Sequence, residues 1–298
     1  MDGRYAPSPT GTLHLGNLRT ALLAWLFARS AGSRFLVRMD DLDHQRVRPG
    51  VEEEQLADLR AIGLDWDGPV VRQSERLGLY EEALARLSAE GRVYPCYCTR
   101  AEVREAASAP HGPPVEGFYP GTCRELTAAQ RAEREASGRR PALRLRAGGE
   151  RLAFEDRVLG RSEGRVDDFV VRRGDGAPAY NLAVVVDDAA QGVEEVVRGA
   201  DLLDSTPRQL LLARLLGVRA PAYAHVPLVL GPDRARLAKR HGSVTLAARL
   251  ALGESAADVV LWMAASAGLA ELAERVTATE LVERFDPARL VREPATFV

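Results

Sequence analysis

Lysine is almost missing from this chain. Of its 40 basic residues, 39 are arginine and one, Lys239 in RLAKRHG, is lysine. A chain so committed to arginine would be expected to use it at ordinary surface positions too. The lone lysine therefore points to a task that a planar, delocalised guanidinium performs poorly. A compact charge on a flexible stem suits a phosphate whose charge shifts during a reaction; a solvated surface position is the plainer alternative. Cysteine is also scarce, with three residues at Cys96, Cys98 and Cys123. An odd number disfavours a disulfide framework. No stretch approaches the roughly 18 uncharged apolar residues of a membrane span. The start, MDGRYAPSPTGTLHLGN, lacks the basic and apolar runs of a signal peptide. A cytoplasmic protein is expected. The formal charge of −2 argues against a wholesale basic nucleic-acid binder but leaves room for a local patch. No repeat of 20 to 50 residues suggests a solenoid.

What is present is enough for a sizeable core: 298 residues, 46% of them hydrophobic, fit one large domain or two to three smaller ones. NLRTALLAWLFARSAG (17–32) has helical apolar spacing and closes on glycine, and FLVRMDD follows as a strand running into carboxylates. RLGLYEEALARLSAEG (76–91) is a second amphipathic helix with a glycine stop. Strand, helix, strand is the pattern of a βαβ unit with parallel strands. From 92 to 178 the texture changes to cysteines, the loop HGPPVEGFYPG and the arginine-rich RAEREASGRRPALRLRAGG. This reads as an inserted module, not a continuation of the sheet. YNLAVVVDD and EEVVRGADLL resume the strand pattern, TPRQLLLARLLG reads as a helix, and HVPLVLG is a last strand before the lysine loop. Beyond 243, VTLAARLALG, SAADVVLWMAASAG and TATELVERF read as helices. The expectation is an α/β sheet domain over 1–91 and 179–242, split by an insert over 92–178 and followed by a helical region over 243–298.

PSPTGTLHLGN places His14 and Gly16 at the start of the first long helix, in the turn after a first strand, RYAPS. A helix N-terminus offers unpaired N–H groups and partial positive charge, which suit phosphate. Gly16 would let a ligand approach the backbone, and His14 could donate to a phosphate oxygen. A capped helix with an incidental histidine is the plainer alternative. RLAKR supplies a second phosphate-suited turn much later, and two such loops could close on one nucleotide at the carboxyl edge of a parallel sheet. The three cysteines give three soft ligands where zinc takes four in a tetrahedron. Spacing alone would prefer His111 as the fourth.

These residues carry a resemblance. PSPTGTLHLGN is similar to the HIGH motif, and RLAKR to the KMSKS motif, of class I aminoacyl-tRNA synthetases. RYAPSPTG, RMDDLD, YNLAVVVDD and VVRGADLLDSTPRQ resemble the glutamyl branch, in the same order, over most of the chain up to about residue 245. The resemblance implies a Rossmann-like catalytic domain that binds ATP through His14, Gly16, Asn17, Arg236 and Lys239, with Mg²⁺ on the phosphates. It implies catalytic roles for Lys239 and His14. It also implies an L-glutamate site built from Arg4, Ala6, Ser8, Asp40, Tyr180 and Arg198. There Arg4 and Arg198 would hold the substrate carboxylates in the bidentate geometry that arginine suits. Asp40 would receive the ammonium, and Tyr180 would hydrogen-bond the ligand. Asp187 and Asp188, read as ending a strand, stand evenly between ligand contact and structural hydrogen bonding. Asn17, Arg236 and Ala238 depart from the strict motifs, and Asp40 is one methylene shorter than the glutamate of most relatives.

Tyr119, four residues before Cys123, is similar to the CxC…YxxxC pattern of the glutamyl-queuosine tRNA(Asp) synthetases. That resemblance favours Tyr119 over His111 as the fourth ligand of one structural zinc, with Cys96, Cys98 and Cys123. The arginine-rich segment around 131–173 is interleaved with acids, so a solvated face is its default reading; beside a zinc module it could bind a tRNA backbone. A complete glutamyl-tRNA synthetase continues into an anticodon-binding domain, and about 55 residues past the lysine loop are too few for one. The glutamyl-queuosine branch, which the chain therefore resembles, activates glutamate without tRNA and places it on the queuosine base at the wobble position of tRNA(Asp). The implied partners are ATP, L-glutamate and queuosine-bearing tRNA(Asp), with no membrane and a monomeric state. Two alternatives stand beside this: a truncated glutamyl-tRNA synthetase charging a 3′ end, and a non-catalytic RNA-binding paralogue.

Overall fold

The computed structural model describes residues 1–99, 101–103, 118–238, 241–242 and 244–297. A short buried strand, β1 (Gly3–Tyr5), leads through the PSPTGTLH loop into α1 (Leu15–Ser30). His14 caps that helix. Its Nδ1 accepts the Asn17 N–H at 3.2 Å, and Asn17 Oδ1 accepts the His14 N–H at 3.3 Å, the reciprocal pairing of a capping box. Every residue from Ala21 to Ala28 is buried, so this part of the helix has no solvent face. A helix apolar on all sides needs cover on all sides, and α1 lies between the sheet and the C-terminal helices. It stops at Gly32, whose φ of 62° is the left-handed conformation that glycine adopts without strain.

The chain continues as β2 (Phe35–Met39), α2 (Val51–Ala61), β3 (Val71–Arg72), α3 (Leu77–Ala89) and β4 (Val93–Cys96). Next come α4 (Ala128–Ala136), β5 (Ala142–Leu145), β6 (Arg151–Asp156), β7 (Gly160–Arg165) and β8 (Val170–Arg172). Then follow α5 (Tyr180–Ala190), β9 (Glu195–Gly199), α6 (Thr206–Leu215), β10 (Ala222–Val226) and β11 (Val229–Leu230). The last elements are α7 (Leu246–Ala251), α8 (Ala256–Ser266), α9 (Ala278–Arg284) and β12 (Ala295–Thr296).

Seven strands form the main sheet in the order β3-β2-β1-β9-β10-β6-β7, parallel throughout except for the β6–β7 hairpin. A separate antiparallel sheet, β4-β5-β8, carries the cysteine segment. The α/β class and the helical C-terminal region agree with the sequence reading. Two expectations do not hold. The stretch 92–178 is not wholly outside the sheet, because β6 pairs with β10 through Tyr223 and Asp156. YNLAVVVDD is not a strand but the helix α5. Its three consecutive valines favour strand, yet tertiary burial overrides that preference. Leu182, Ala183 and Val185 pack into the cluster around Tyr80, Leu87 and Leu212.

Val259, Val260 and Met263 of α8 and Leu281 of α9 share one core cluster with α1. Arg19, fully buried on α1, binds this region down: its guanidinium donates to Pro227 O at 2.7 Å and Ser266 O at 3.1 Å. The β11–β12 pairing joins the far end of the chain to the strand before the lysine loop. Among the described residues, no helix is long and apolar enough to cross a membrane.

Candidate active site

From β1 the chain runs to β2 and β3 on one side, while β9 leads to β10 on the other, so the sheet changes direction between β1 and β9. Ligands of open α/β sheets bind outside the carboxyl ends of strands at such a switch point. A cavity of about 500 Å³ opens there, a size that suits a small-molecule substrate. Arg4, Ala6, Ser8 and Asp40 line it, as do Tyr180 and Arg198. The wall toward α1 comes from His14, Gly16 and Asn17, with Arg236 from the late loop. All ten of the described residues expected at a ligand site from the sequence thus border one cavity. Lys239, and His111 in the insert, lie outside the described residues.

The two buried arginines that line the cavity, Arg4 and Arg198, differ in charge balance. Arg4 already has an anion: its Nε lies 3.2 Å from Asp188 Oδ1. Arg198 binds only neutral groups among the described residues. Its donors reach His225 Nε2 at 3.0 Å, Gln209 Oε1 at 2.8 Å, Thr206 Oγ1 at 2.8 Å, Leu202 O at 3.3 Å and the Tyr180 hydroxyl at 3.4 Å. A buried cation without an anion is costly, so this edge of the cavity favours a negative ligand. Asp40 brings the opposite sign. It pairs with Arg38 at 3.0 Å. Burial nevertheless pushes its carboxyl up to about 6, against the pull of Arg38 and Arg4.

Asp187 and Asp188 belong to α5, not to a strand end, and neither borders the cavity. Of their two readings, structural bonding is what the geometry contains. Asp188 takes Arg38 Nη1 at 2.7 Å, and Asp187 takes Arg76 Nε at 2.6 Å and the Tyr80 hydroxyl at 2.7 Å.

At the α1 end, burial and the Arg236 charge lower His14 to about 4, leaving it neutral near pH 7. Because Nδ1 is the acceptor in the cap, the hydrogen sits on Nε2, free to act as a donor. Gly16 keeps this packing close: a Cβ there would meet the His14 ring at 3.0 Å and Val229 Cβ at 3.3 Å, so a neighbour would have to give way by a few tenths of an ångström. Arg236 pairs with Asp201 at 2.7 Å, which anchors the base of the late loop.

A second cluster lies on the small sheet. The sulfurs of Cys96, Cys98 and Cys123 all fall within 4.8 Å of one another. The Tyr119 oxygen sits 3.4 Å from Cys96 Sγ and 3.8 Å from Cys98 Sγ, and accepts the Cys123 N–H at 2.8 Å. Burial raises the Cys96 thiol, but the Tyr119 hydroxyl and the Arg144 guanidinium more than offset this and leave it below its ordinary value. Three convergent sulfurs with an oxygen beside them fit a tetrahedral metal ion. The Tyr119 N–H donates to Asp167 Oδ2, and Asp167 pairs with Arg208 of α6, which ties this cluster to the main domain.

The family model for tRNA synthetases class I (E and Q), catalytic domain, matches residues 1–298. The chain belongs to the class I tRNA synthetases. Members of this family are ligases, and membership implies ATP, an amino acid and tRNA as substrates. The glutamyl-Q tRNA(Asp) synthetase of Nocardia farcinica is 64% identical, over 98% of this chain and 91% of that protein. The enzyme of the same name from Symbiobacterium thermophilum is 56% identical over 99% and 95%. Among solved structures, a glutamate tRNA ligase from Elizabethkingia meningosepticum, in complex with its amino acid, superposes with a TM-score of 0.85. It is 28% identical and covers 100% of this chain and 67% of that one.

Sequence reasoning on this synthetase missed the groups behind the cavity wall. Arg38 pairs with both Asp40 and Asp188, and its one signal was an arginine inside the apolar strand FLVRM. Thr206 and Gln209 stood within TPRQ without an assigned role. His225 and Asp156 gave no local signal, since their pairing joins strands far apart in the sequence.

Proposed function

We propose that this synthetase activates L-glutamate with ATP, without tRNA, and transfers the glutamyl group to the queuosine base at the wobble position of tRNA(Asp). The observation that carries the amino-acid part is Arg198, a buried guanidinium with only neutral partners among the described residues, in the same cavity as the carboxylate of Asp40. That pairing suits a ligand with both anionic and ammonium groups. In this reading Arg198 and Arg4 hold the carboxylates, Asp40 receives the ammonium, Tyr180 bonds the ligand, and Ala6 and Ser8 shape the wall. His14 Nε2–H, the α1 N-terminus at Gly16 and Asn17, and Arg236 take the nucleotide. Mg²⁺, when bound, neutralises phosphate charge.

An α-carboxylate oxygen of glutamate attacks the α-phosphorus, the bond to the bridging oxygen breaks, and pyrophosphate leaves with that electron pair. Lys239 follows the charge that builds on the phosphates, so the protein's contribution is positioning and electrostatics. A nucleophile on the queuosine base then attacks the glutamyl carbonyl and AMP leaves. Cys96, Cys98, Cys123 and Tyr119 would hold one zinc ion, whose work is structural. The names of the relatives at 64% and 56% identity support the RNA half of the reaction.

The test is to incubate the protein with ATP, labelled glutamate and total tRNA from a queuosine-containing bacterium, digest the RNA and locate the label. Label in the anticodon fragment of tRNA(Asp) is expected. Label on a 3′-terminal adenosine would make this a charging enzyme, and unlabelled RNA would favour the non-catalytic paralogue. Lys239→Ala should abolish glutamate-dependent ATP–pyrophosphate exchange in a folded protein; unchanged exchange would remove the role given to Lys239.

A further inference from the structure

Behind Arg198 runs a chain of buried groups. His225 on β10 is fully buried, and its Nε2 lies 3.0 Å from Arg198 Nε. A guanidinium has donors only, so that ring nitrogen is the acceptor. The ring hydrogen then sits on Nδ1, 2.6 Å from Asp156 Oδ2. Asp156 is itself held by the backbone N–H groups of Val158, Leu159 and His225, at 3.0, 2.9 and 3.1 Å. Each group fixes the next: backbone orients carboxylate, carboxylate selects tautomer, tautomer presents an acceptor to the guanidinium.

The imidazole has a second consequence. Were a carboxylate in its place, Arg198 would be neutralised within the protein, as Arg4 is by Asp188. A neutral ring aims the guanidinium yet leaves its charge for the ligand. Burial and the Arg198 charge both lower the basicity of His225, which outweighs the Asp156 carboxylate and keeps the ring neutral.

We propose that Asp156 and His225 are positioning residues, which fix the Nδ1–H tautomer and aim Arg198 at an anionic group of the amino-acid substrate. This rests on reading the cavity as the glutamate site. It also gives the β6–β7 hairpin a part in the active site, because Asp156 is its contribution to the cavity wall from behind.

Two polar variants of similar size separate aim from packing. In His225→Gln the side-chain oxygen reaches the Nε2 position, whereas in His225→Asn the amide reaches only the Nδ1 position. The full chain of each variant is assayed for glutamate-dependent ATP–pyrophosphate exchange. His225→Asn is expected to raise the glutamate KM on the order of tenfold to a hundredfold, the effect of losing a hydrogen bond to a charged group. Its ATP KM and kcat should stay within about threefold, and His225→Gln should restore most of the loss. Equal glutamate KM values in the two variants, or a parallel rise in the ATP KM, would overturn the proposal. Imidazole ¹⁵N NMR provides a readout independent of turnover: Nδ1–H is expected in the wild type, and Nε2–H would refute the relay even if the variants fail to fold. Wild-type protein with no glutamate-dependent exchange would sink the glutamate reading instead, leaving the tautomer to decide the relay.

Discussion

Asp40 is held between opposing demands. An ammonium ligand needs it ionised, while burial raises it to about 6 despite Arg38 and Arg4. Protonation therefore grows as pH falls through about 6, and glutamate affinity should fall with it and return above that pH. We expect kcat/KM for glutamate to drop about tenfold per pH unit below that point, the slope of a single ionisation. Asp40→Asn should be low and flat over the same range; a wild-type profile level down to pH 5 would remove Asp40 from ammonium binding. His14, lowered to about 4, contributes no step there. Arg198→Lys keeps the charge but not the planar fork with its five donors. It should raise the glutamate KM by about tenfold or more and leave the ATP KM unmoved; an unchanged glutamate KM would contradict the anion role.

Elements set where these side chains can act. The N-terminus of α1 is shaped by the contact between Gly16 and the His14 ring, so Gly16→Ala must displace one of them. A rise in the ATP KM of about tenfold is expected for a shifted phosphate contact, with the glutamate KM nearly constant. Equal ATP affinity would show that α1 does not bind the nucleotide. The small sheet behaves differently, because its cysteines lie apart from the cavity. Cys96→Ser should lower bound zinc from near one per chain and abolish transfer to RNA, while glutamate-dependent exchange persists. Native protein that contains no metal and still modifies RNA would refute the zinc assignment.

At the scale of the whole molecule, the β6–β7 hairpin tests where the domains divide. A detachable insert could be trimmed. Because β6 pairs with β10 and Asp156 bonds His225 beneath the cavity, removal of 151–165 should unfold the catalytic sheet. Circular dichroism that kept the native signal and a cooperative melt would show the hairpin to be dispensable. What the sequence determined alone was local: the α1 helix and its glycine stop, the two candidate turns and the cysteine spacing, while the family resemblance supplied the set of ten described residues that are among those bordering the cavity. Periodicity and turn chemistry act over a few residues, so they can be read in order along the chain. YNLAVVVDD failed because three valines favour strand locally, and only the packing around Tyr80 and Leu212 overrides that preference. Only the tertiary structure decided which charges are compensated. Arg4 meets Asp188 across 184 residues, and His225 meets Asp156 across 69. No local rule predicts such pairs, since their energy comes from burying both partners together. Those distant pairs leave Arg198 without an anion among the described residues, while Arg4 meets the cavity with its charge already shared with Asp188.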